Sequence, residues 1–531
     1  MSSATLTLDQ DVWRPRFNPW LIAVVVALAA FMEVLDTSIA NVALPYIGGN
    51  LGASNDESTW VLTSYLVSNA IVLPISGWLA GRFGRKRFFM TCLGMFTISS
   101  FLCGFAPSLN LLLLFRILQG AGGGGLQPMA QAILADSFPP EQRGLAFAVY
   151  GITAVTAPTI GPTLGGWITF NYSWRWIFFI NLPVGLLTLL LVRRFVDDPP
   201  YLAKIKAAGV KLDYIGIALL ALGVGALQIL LDKGQEDDWF GSNFITTLIV
   251  IAAVCLIGLV IWEWFHKTPI IDVRMFKDFN FASSNLMMFM LGIVLFSSLV
   301  VLPLFLQTLL GYTSQVAGLA LSAGGLVLLF EQPLIGQLTT KVQARRLIAF
   351  GWLSLAAAMF YSTQRIDLQI SFVTATVLRV TQVIGLGFLF VPISLVAYIG
   401  IAPEKNNSVA GIINFMRNMG SSVGTSMVTT LLARRSELHQ NRLVEFTRTD
   451  SFSFQNSVNG LTHQFAASGL GAHEAQGTAV ATIYQALLAQ SAALAYIDIF
   501  MVLAVASAIM FVLSFALRKN DPGGGGRFHA E

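Results

Sequence analysis

PWLIAVVVALAAFMEVLDTSIANVALP (19–45) is an apolar run interrupted by only two charges, Glu33 and Asp36. A helix needs about 20 mostly apolar residues to cross the hydrocarbon core of a bilayer, and this run exceeds that. It lacks a small-residue cleavage site, so it reads as a retained span and not as a signal peptide. The whole chain has the same character. Of its 531 residues, 55% are hydrophobic and 11% charged, against roughly 25% charged in soluble domains, and mean hydropathy is +0.69. Those values exclude a soluble globular protein, a disordered chain and a nucleic-acid binder. The net charge of +4 is too small to imply a polyanionic partner. A lipid bilayer is the solvent that suits so apolar a surface.

Outward from the first run, the same criterion gives fourteen spans: 19–46, 60–80, 88–106, 109–135, 144–170, 175–193, 212–231, 243–264, 281–307, 315–340, 346–363, 370–400, 408–433 and 493–517. An even number puts both termini on one side. Of the 32 Lys and Arg, 22 fall on that side, 7 on the other and 3 inside spans. Cytoplasmic loops keep basic residues, so both termini are expected in the cytoplasm. Residues 434–490 form a long polar outer loop, which is uncommon unless functional or disordered. Cys92, Cys103 and Cys255 are odd in number and lie in apolar runs, so no disulfide framework is expected. None of the five histidines has metal-ligand spacing. No cluster suited to catalysis stands at either face, so an enzyme such as an acyl- or glycosyltransferase is disfavoured, and no metal or organic cofactor is expected.

The chain repeats itself. GWLAGRFGRKR (77–87) aligns with GQLTTKVQARR (336–346), FRILQGAG (115–122) with LRVTQVIG (378–385), and Pro140-Glu141 with Pro403-Glu404. Arg116 then matches Arg379, and Gln119 matches Gln382. The expected fold is all-α and polytopic: two six-helix bundles, spans 1–6 and 9–14, with spans 7 and 8 left over. The segments are 1–18 (cytoplasmic), 19–200 (first bundle), 201–270 (two inserted helices), 271–517 (second bundle with the 434–490 loop) and 518–531 (a tail containing Gly523–Gly526). Such parallel repeats are a transporter architecture with the substrate site between the halves.

A charge at the bilayer centre costs about 2.5–3.5 kcal/mol on insertion scales. Glu33, Asp36, Arg116, Glu331, Arg379 and Arg417 lie well inside spans. Each is either structural, paired inside a bundle, or functional. Glu33 and Asp36 are three apart and share a helix face. Two carboxylates a turn apart in low dielectric cannot both stay ionised cheaply, so this face suits proton coupling, with Arg116 as the counter-ion candidate. Gly120 and Gly122–Gly125 crowd span 4 and permit close helix approach. In APTIGPTLGG (157–166), Pro158, Gly161, Pro162, Gly165 and Gly166 suit a bent, close-packed hinge or seal, or simple packing. Phe31, Met32, Tyr65, Phe296, Phe390, Glu331 and Arg417 are candidates to line a substrate cavity, with core packing the alternative for each apolar one.

These motifs together resemble the major facilitator superfamily, and more narrowly its fourteen-span drug:proton antiporters, over nearly the whole chain. LDTSIANVALP (35–45) resembles the first-span signature, with Asp36 as its acid. GWLAGRFGRKR resembles the gating loop motif, which singles out Gly77, Arg82, Gly84 and Arg85. LLLFRILQGAGGG (112–124) resembles the span-4 proton-transfer motif, APTIGPTLGG the antiporter motif, and WRWIFFINLPVG (174–185) a span-6 signature. QILLDKG (228–234), followed by Asp238-Trp239-Phe240, resembles a branch whose members form the inner-membrane part of tripartite efflux systems. The resemblance implies a multi-pass protein of the bacterial inner membrane that exports hydrophobic or amphiphilic compounds from the cytoplasm or inner leaflet. It would draw on the proton-motive force and work with a periplasmic membrane-fusion adaptor and an outer-membrane channel. The 434–490 loop is the expected docking surface. A dedicated exporter of one metabolite, such as a siderophore or fatty acid, is the alternative, and a channel a more distant one. One departure stands out: Gly81 occupies the place of the loop motif's acid. Arg82 and Arg85 are then expected to act on helix C-terminal dipoles instead.

Overall fold

The computed structural model describes residues 15–200, 213–448 and 451–518. Most of the N-terminal segment, the 201–212 linker with its lysines, and the tail with Gly523–Gly526 lie outside the described residues. Among those described, all regular structure is helical.

The first bundle comprises α1 (Pro19–Leu51), α2 (Asn55–Phe83), α3 (Arg85–Phe105), α4 (Leu109–Gly123), α5 (Leu126–Ser137), α6 (Arg143–Asn171), α7 (Trp176–Phe179) and α8 (Asn181–Phe195). Two inserted helices follow, α9 (Tyr214–Lys233) and α10 (Asn243–Phe265). The second bundle holds α11 (Phe279–Thr308), α12 (Ser314–Leu338), α13 (Ala344–Arg365), α14 (Phe372–Tyr398), α15 (Asn406–Val444), α16 (Phe452–Ala467) and α17 (Ala472–Ser514).

Thirteen helical segments are long and apolar enough to cross a membrane. The fourteenth crossing is α15, whose Asn407, Asn414, Arg417 and Ser421 lower its hydropathy. It tolerates them because it is enclosed, packing on α11, α2 and α17. Expected span 4 is divided into α4 and α5 at the Gly123–Gly125 run. Expected span 6 is divided into α7 and α8 at Ile180. The 434–490 segment differs most from expectation. It is largely helical: α15 runs on to Val444, α16 follows, and α17 begins at Ala472, well before the expected span. Its residues are largely polar, with Ala, Leu, Gln, Arg and Glu supplying helix propensity, and a hydropathy criterion is blind to helices in water. His439 and Asp498, 2.9 Å apart, join α15 to α17 at its base.

The described chain starts and ends at the same end of the bundle. Trp20 packs edge-on against Phe138, with centroids 4.9 Å apart, and Arg345 donates to the Leu517 carbonyl. The two bundles are closed against each other at this end. A Cβ on Gly77 of α2 would lie 2.9 Å from the backbone of Asn407 and Ser408 in α15. Gly336 of α12 meets Leu145 and Ala148 of α6 just as closely, at about 3.0 Å. The Phe147 and Tyr398 rings pack at a tilt across the same layer, centroids 5.5 Å apart.

The inserted helices are asymmetric in their surroundings. α10 is the most apolar span and little of it is buried, as a lipid-facing helix should be. α9 lies along the α2–α15 seam: a Cβ on Gly225 would lie 3.7 Å from Val67 and Ile71 of α2, and Ser422 of α15 donates to Gln228 at 3.0 Å.

Overpacking a close contact costs about 1–3 kcal/mol, enough to shift a two-state equilibrium by about tenfold. Gly77→Leu should therefore prevent closure at this end. Transport should fall by about tenfold or more while the protein still reaches the membrane, as read by an export assay beside a membrane immunoblot. Normal transport would show that this approach is not needed.

Candidate functional site

Asp36 and Glu33 sit on the buried face of α1, 2% and 4% exposed. They share a helix face but enter different environments.

Asp36 is satisfied entirely within the first bundle. Its Oδ2 accepts from Arg116 Nη1 at 2.7 Å, and its Oδ1 accepts from Gln119 Nε2 at 2.9 Å and Asn181 Nδ2 at 2.6 Å. Arg116 and Gln119 are three apart on α4 and so face the same way. Asn181 points inward because it opens α8, just after the break at Ile180; it also donates to Ser100 Oγ at 3.0 Å. Arg116 Nε donates to the Val61 carbonyl at 3.0 Å, and its guanidinium lies over the Tyr65 ring, 4.3 Å from the centroid. An ion pair is tolerated in low dielectric when its remaining lone pairs and protons are also bonded. This one meets that condition on both Asp36 oxygens and on Arg116 Nε and Nη1, while Arg116 Nη2 is buried without a hydrogen-bond partner.

Among the described residues, Glu33 has no ion-pair partner. Its Oε1 accepts from Tyr65 Oη and Asn69 Nδ2, both at 3.1 Å, and its Oε2 accepts from Gln127 Nε2 at 2.5 Å. These donors lead into the second bundle. Gln127 Oε1 accepts from Arg417 of α15 and from Tyr150 Oη, the latter at 3.0 Å. Asn69 Oδ1 accepts from Asn418 Nδ2 at 3.1 Å, and Asn414 Nδ2 donates to Gln131 Oε1 at 2.8 Å. Phe390 stacks on Tyr150 at 5.7 Å and lies beneath the Arg417 guanidinium. The Glu33 carboxyl is thus one bond away from a polar seam shared by the two bundles.

The glycine run makes this possible. A Cβ on Gly123 would lie 2.6 Å from Tyr65 Oη and 3.3 Å from Glu33 Cγ. Gly124 abuts the Asn69 carbonyl at 2.7 Å, and Gly122 abuts the Phe96 backbone, also at 2.7 Å. The break after α4 also presents Gln127 to Glu33.

The loop-motif residues lie at the closed end. Gly84 adopts φ +92° where α2 hands over to α3, a conformation that favours glycine. Arg82 lies over the Trp78 and Phe83 rings. Arg85 donates to the Ala132 carbonyl at 3.1 Å, near the C-terminal end of α5, and to Asp136 at 2.5 Å. Asp136 also accepts from Asn406 Nδ2 of α15 at 2.6 Å. Asp136 thus supplies, from the last turn of α5, an acid that links the bundles where Gly81 cannot.

In the 157–166 motif, α6 continues through both prolines. Pro162 has no N–H to give to the Pro158 carbonyl, and Ser38 Oγ of α1 donates there instead at 3.1 Å. A Cβ on Gly165 would lie 3.1 Å from Ile39 Cα, and one on Gly161 would meet Ser38 at least as closely. Gly166 makes only an ordinary contact with Val42, at 3.9 Å. The motif is therefore a close seam on two sides: its glycines pack on α1, and its Thr159 and Thr163 meet Gly325 and Gly318 of α12 in the second bundle.

The cavity candidates do not form one group. Tyr65, Phe390 and Arg417 meet at the polar seam. Phe31, Met32 and Phe296 pack into hydrophobic clusters. Glu331 stands apart on α12, buried against Gly387 of α14, with neither carboxyl oxygen hydrogen-bonded. The sequence reading passed over Asn69, Gln127, Asp136, Tyr150, Asn181 and Asn414. A signal existed for some: Gln127 and Gln131 are four apart, and Asn414, Arg417 and Asn418 fall on one face of an otherwise small-residue helix.

The Major Facilitator Superfamily model matches residues 26–425. The chain is 39% identical to the multidrug export protein EmrB of Haemophilus influenzae, over 83% of this chain and 87% of that one. It is 40% identical to the fatty acid resistance protein FarB of Neisseria gonorrhoeae, over 83% and 86%. The fold is similar to the crystal structure of the human organic anion transporter MFSD10, with TM-score 0.59, 14% identity and coverage of 94% and 100%.

The two acids should differ under mutation. Breaking a buried ion pair by removing one charge costs about 3–5 kcal/mol, so Asp36→Asn should lower the thermal unfolding midpoint markedly. Glu33→Gln leaves neutral donors facing an amide and should cost about 1 kcal/mol. Equal losses in detergent-solubilised protein would contradict the difference in environment.

Proposed function

The chain belongs to the major facilitator superfamily, and we propose that it is a multidrug exporter of the bacterial inner membrane that exchanges hydrophobic or amphiphilic compounds for protons. The single observation that carries the proton coupling is where the hydrogen bonds of Glu33 lead. A coupling group must change surroundings as the two bundles rock. The partners of Asp36 all belong to the first bundle, so they move with it. Two of the three donors to Glu33, Gln127 and Asn69, are themselves bonded to Arg417 and Asn418 of the second bundle. Separation of the bundles at the closed end removes those bonds and opens the Glu33 carboxyl to water. Glu33 is then the group that exchanges the proton, and the Asp36–Arg116 pair fixes the helix that carries it.

Cargo enters the same seam. Its wall offers the aromatic faces of Tyr150 and Phe390 beside neutral amides, which suits amphiphilic molecules of varied shape. No cofactor beyond the proton-motive force is needed, and no covalent chemistry is assigned. The basic bias of the loops supports placing the closed end in the cytoplasm. The helical 434–490 segment then stands in the periplasm. Phe446 and Phe452 are strongly exposed there, at 73% and 77%, and this segment is the surface offered to a membrane-fusion adaptor leading to an outer-membrane channel. An exporter dedicated to one metabolite, such as a fatty acid, is the second reading, favoured by the likeness to FarB.

Proteoliposomes decide between these. Several unrelated compounds should each release protons on addition to the wild-type protein, whereas a dedicated exporter responds to one. Glu33→Gln should release none while still reaching the membrane. Proton release in that variant at the wild-type level would refute the assignment.

The adaptor is tested separately. Deleting α16 should abolish co-purification with the adaptor and leave membrane insertion intact; unchanged co-purification would remove this surface from consideration.

A further inference from the structure

The internal repeat extends to the buried arginines, but the second bundle lacks the acid. In the first bundle Arg116 donates to Asp36, and Gln119 lies beside it. In the second, the matching Arg379 donates through Nη1 to Ser298 Oγ of α11 at 3.0 Å, and the matching Gln382 donates to Ser362 Oγ, also at 3.0 Å. Ser298 therefore stands where the first bundle has Asp36. An arginine stays charged in proteins, and Arg379 is fully buried. No carboxylate lies within ion-pair distance of it among the described residues. Glu331 is not its counter-ion, because its carboxyl lies against Gly387 and bonds to nothing.

The unused donors are specific. Nε and Nη2 of Arg379 are both buried without a hydrogen-bond partner. They form one edge of the guanidinium, the side on which two parallel N–H groups grip a single anion. That side chain passes Gly324 of α12, where a Cβ would lie 3.2 Å from Arg379 Cγ and 3.5 Å from Nε. A larger residue at 324 would crowd the guanidinium.

We propose that the Nε–Nη2 edge of Arg379, with Ser298 beside it, binds a small monovalent anion or carboxylate group, which supplies in the second bundle the negative charge that Asp36 supplies in the first. The shared chemistry has two sources, free halide or the carboxylate of an amphiphilic cargo. The assignment rests on the repeat and on the buried donors, and not on the export reading.

The test is thermal unfolding of the full-length protein in detergent. Chloride is titrated against gluconate, which is too bulky to enter, at constant ionic strength, and decanoate is titrated in parallel. A ligand that binds only the folded state raises the midpoint, here by about 2 °C or more at saturation. A rise with chloride assigns a resident halide; a rise with decanoate alone assigns cargo. Ser298→Asp places a carboxylate beside Arg379, so its midpoint should no longer respond to either anion. Arg379→Gln should be equally unresponsive. The proposal is overturned if the wild type responds to neither anion, or if Ser298→Asp keeps the wild-type response. The Ser298→Asp result stands even where Arg379→Gln fails to fold.

Discussion

The structure depends on one electrostatic constraint: a charge carried into the bilayer core must be matched where it lies. Asp36 and Arg116 meet that constraint on each other, with Gln119, Asn181 and the Val61 carbonyl taking up further hydrogen-bonding capacity. The pair draws α1, α2, α4 and α8 to one point. It also fixes the rotation of α1, and so decides where Glu33, one turn earlier, must face. The glycines of span 4 follow from the same demand, since a Cβ at Gly123 would occupy the space in which Tyr65 and Asn69 reach the Glu33 carboxyl.

Two acids a turn apart thereby acquire separate roles. Asp36 belongs to a rigid body. Glu33 belongs to the boundary between bodies, because Gln127 and Asn69 also hold residues of α15. At the closed end the same division recurs. Arg85 and Asp136 are joined within the first bundle, and Asn406 reaches them from the second. The contacts that cross between bundles in these layers include hydrogen bonds, aromatic contacts and small-residue approaches. Such a boundary parts at modest cost, which suits repeated opening and closing.

Much of this was legible in the sequence. Apolar length located nearly every span, and the acids and Arg116 were recognisable because charge in an apolar run is expensive. The repeat was visible in ordered matches, and the span-4 glycines in their density. Other features were hidden for physical reasons. Apolar length does not reveal the helices of 434–490, whose residues are largely polar and exposed. Neutral amides such as Gln127 and Asn414 carry no charge, so a search for charges in apolar runs passes over them, although they make the seam. Glu33 and Asp36 shared a face as expected, but spacing alone did not show that Arg116 would take only one of them. Nor did it place Asp136 where Gly81 lacks the acid, or Ser298 opposite Arg379.

The central claim is that cargo changes the protonation of Glu33 and not of Asp36. Infrared difference spectroscopy on the reconstituted protein, recorded on addition of cargo, observes this directly through the carbonyl stretch of a protonated carboxyl. The account predicts a difference band that persists in Asn181→Ala, which trims only the Asp36 site, and disappears in Glu33→Gln. A band that survives Glu33→Gln and shifts with Asn181→Ala would contradict it.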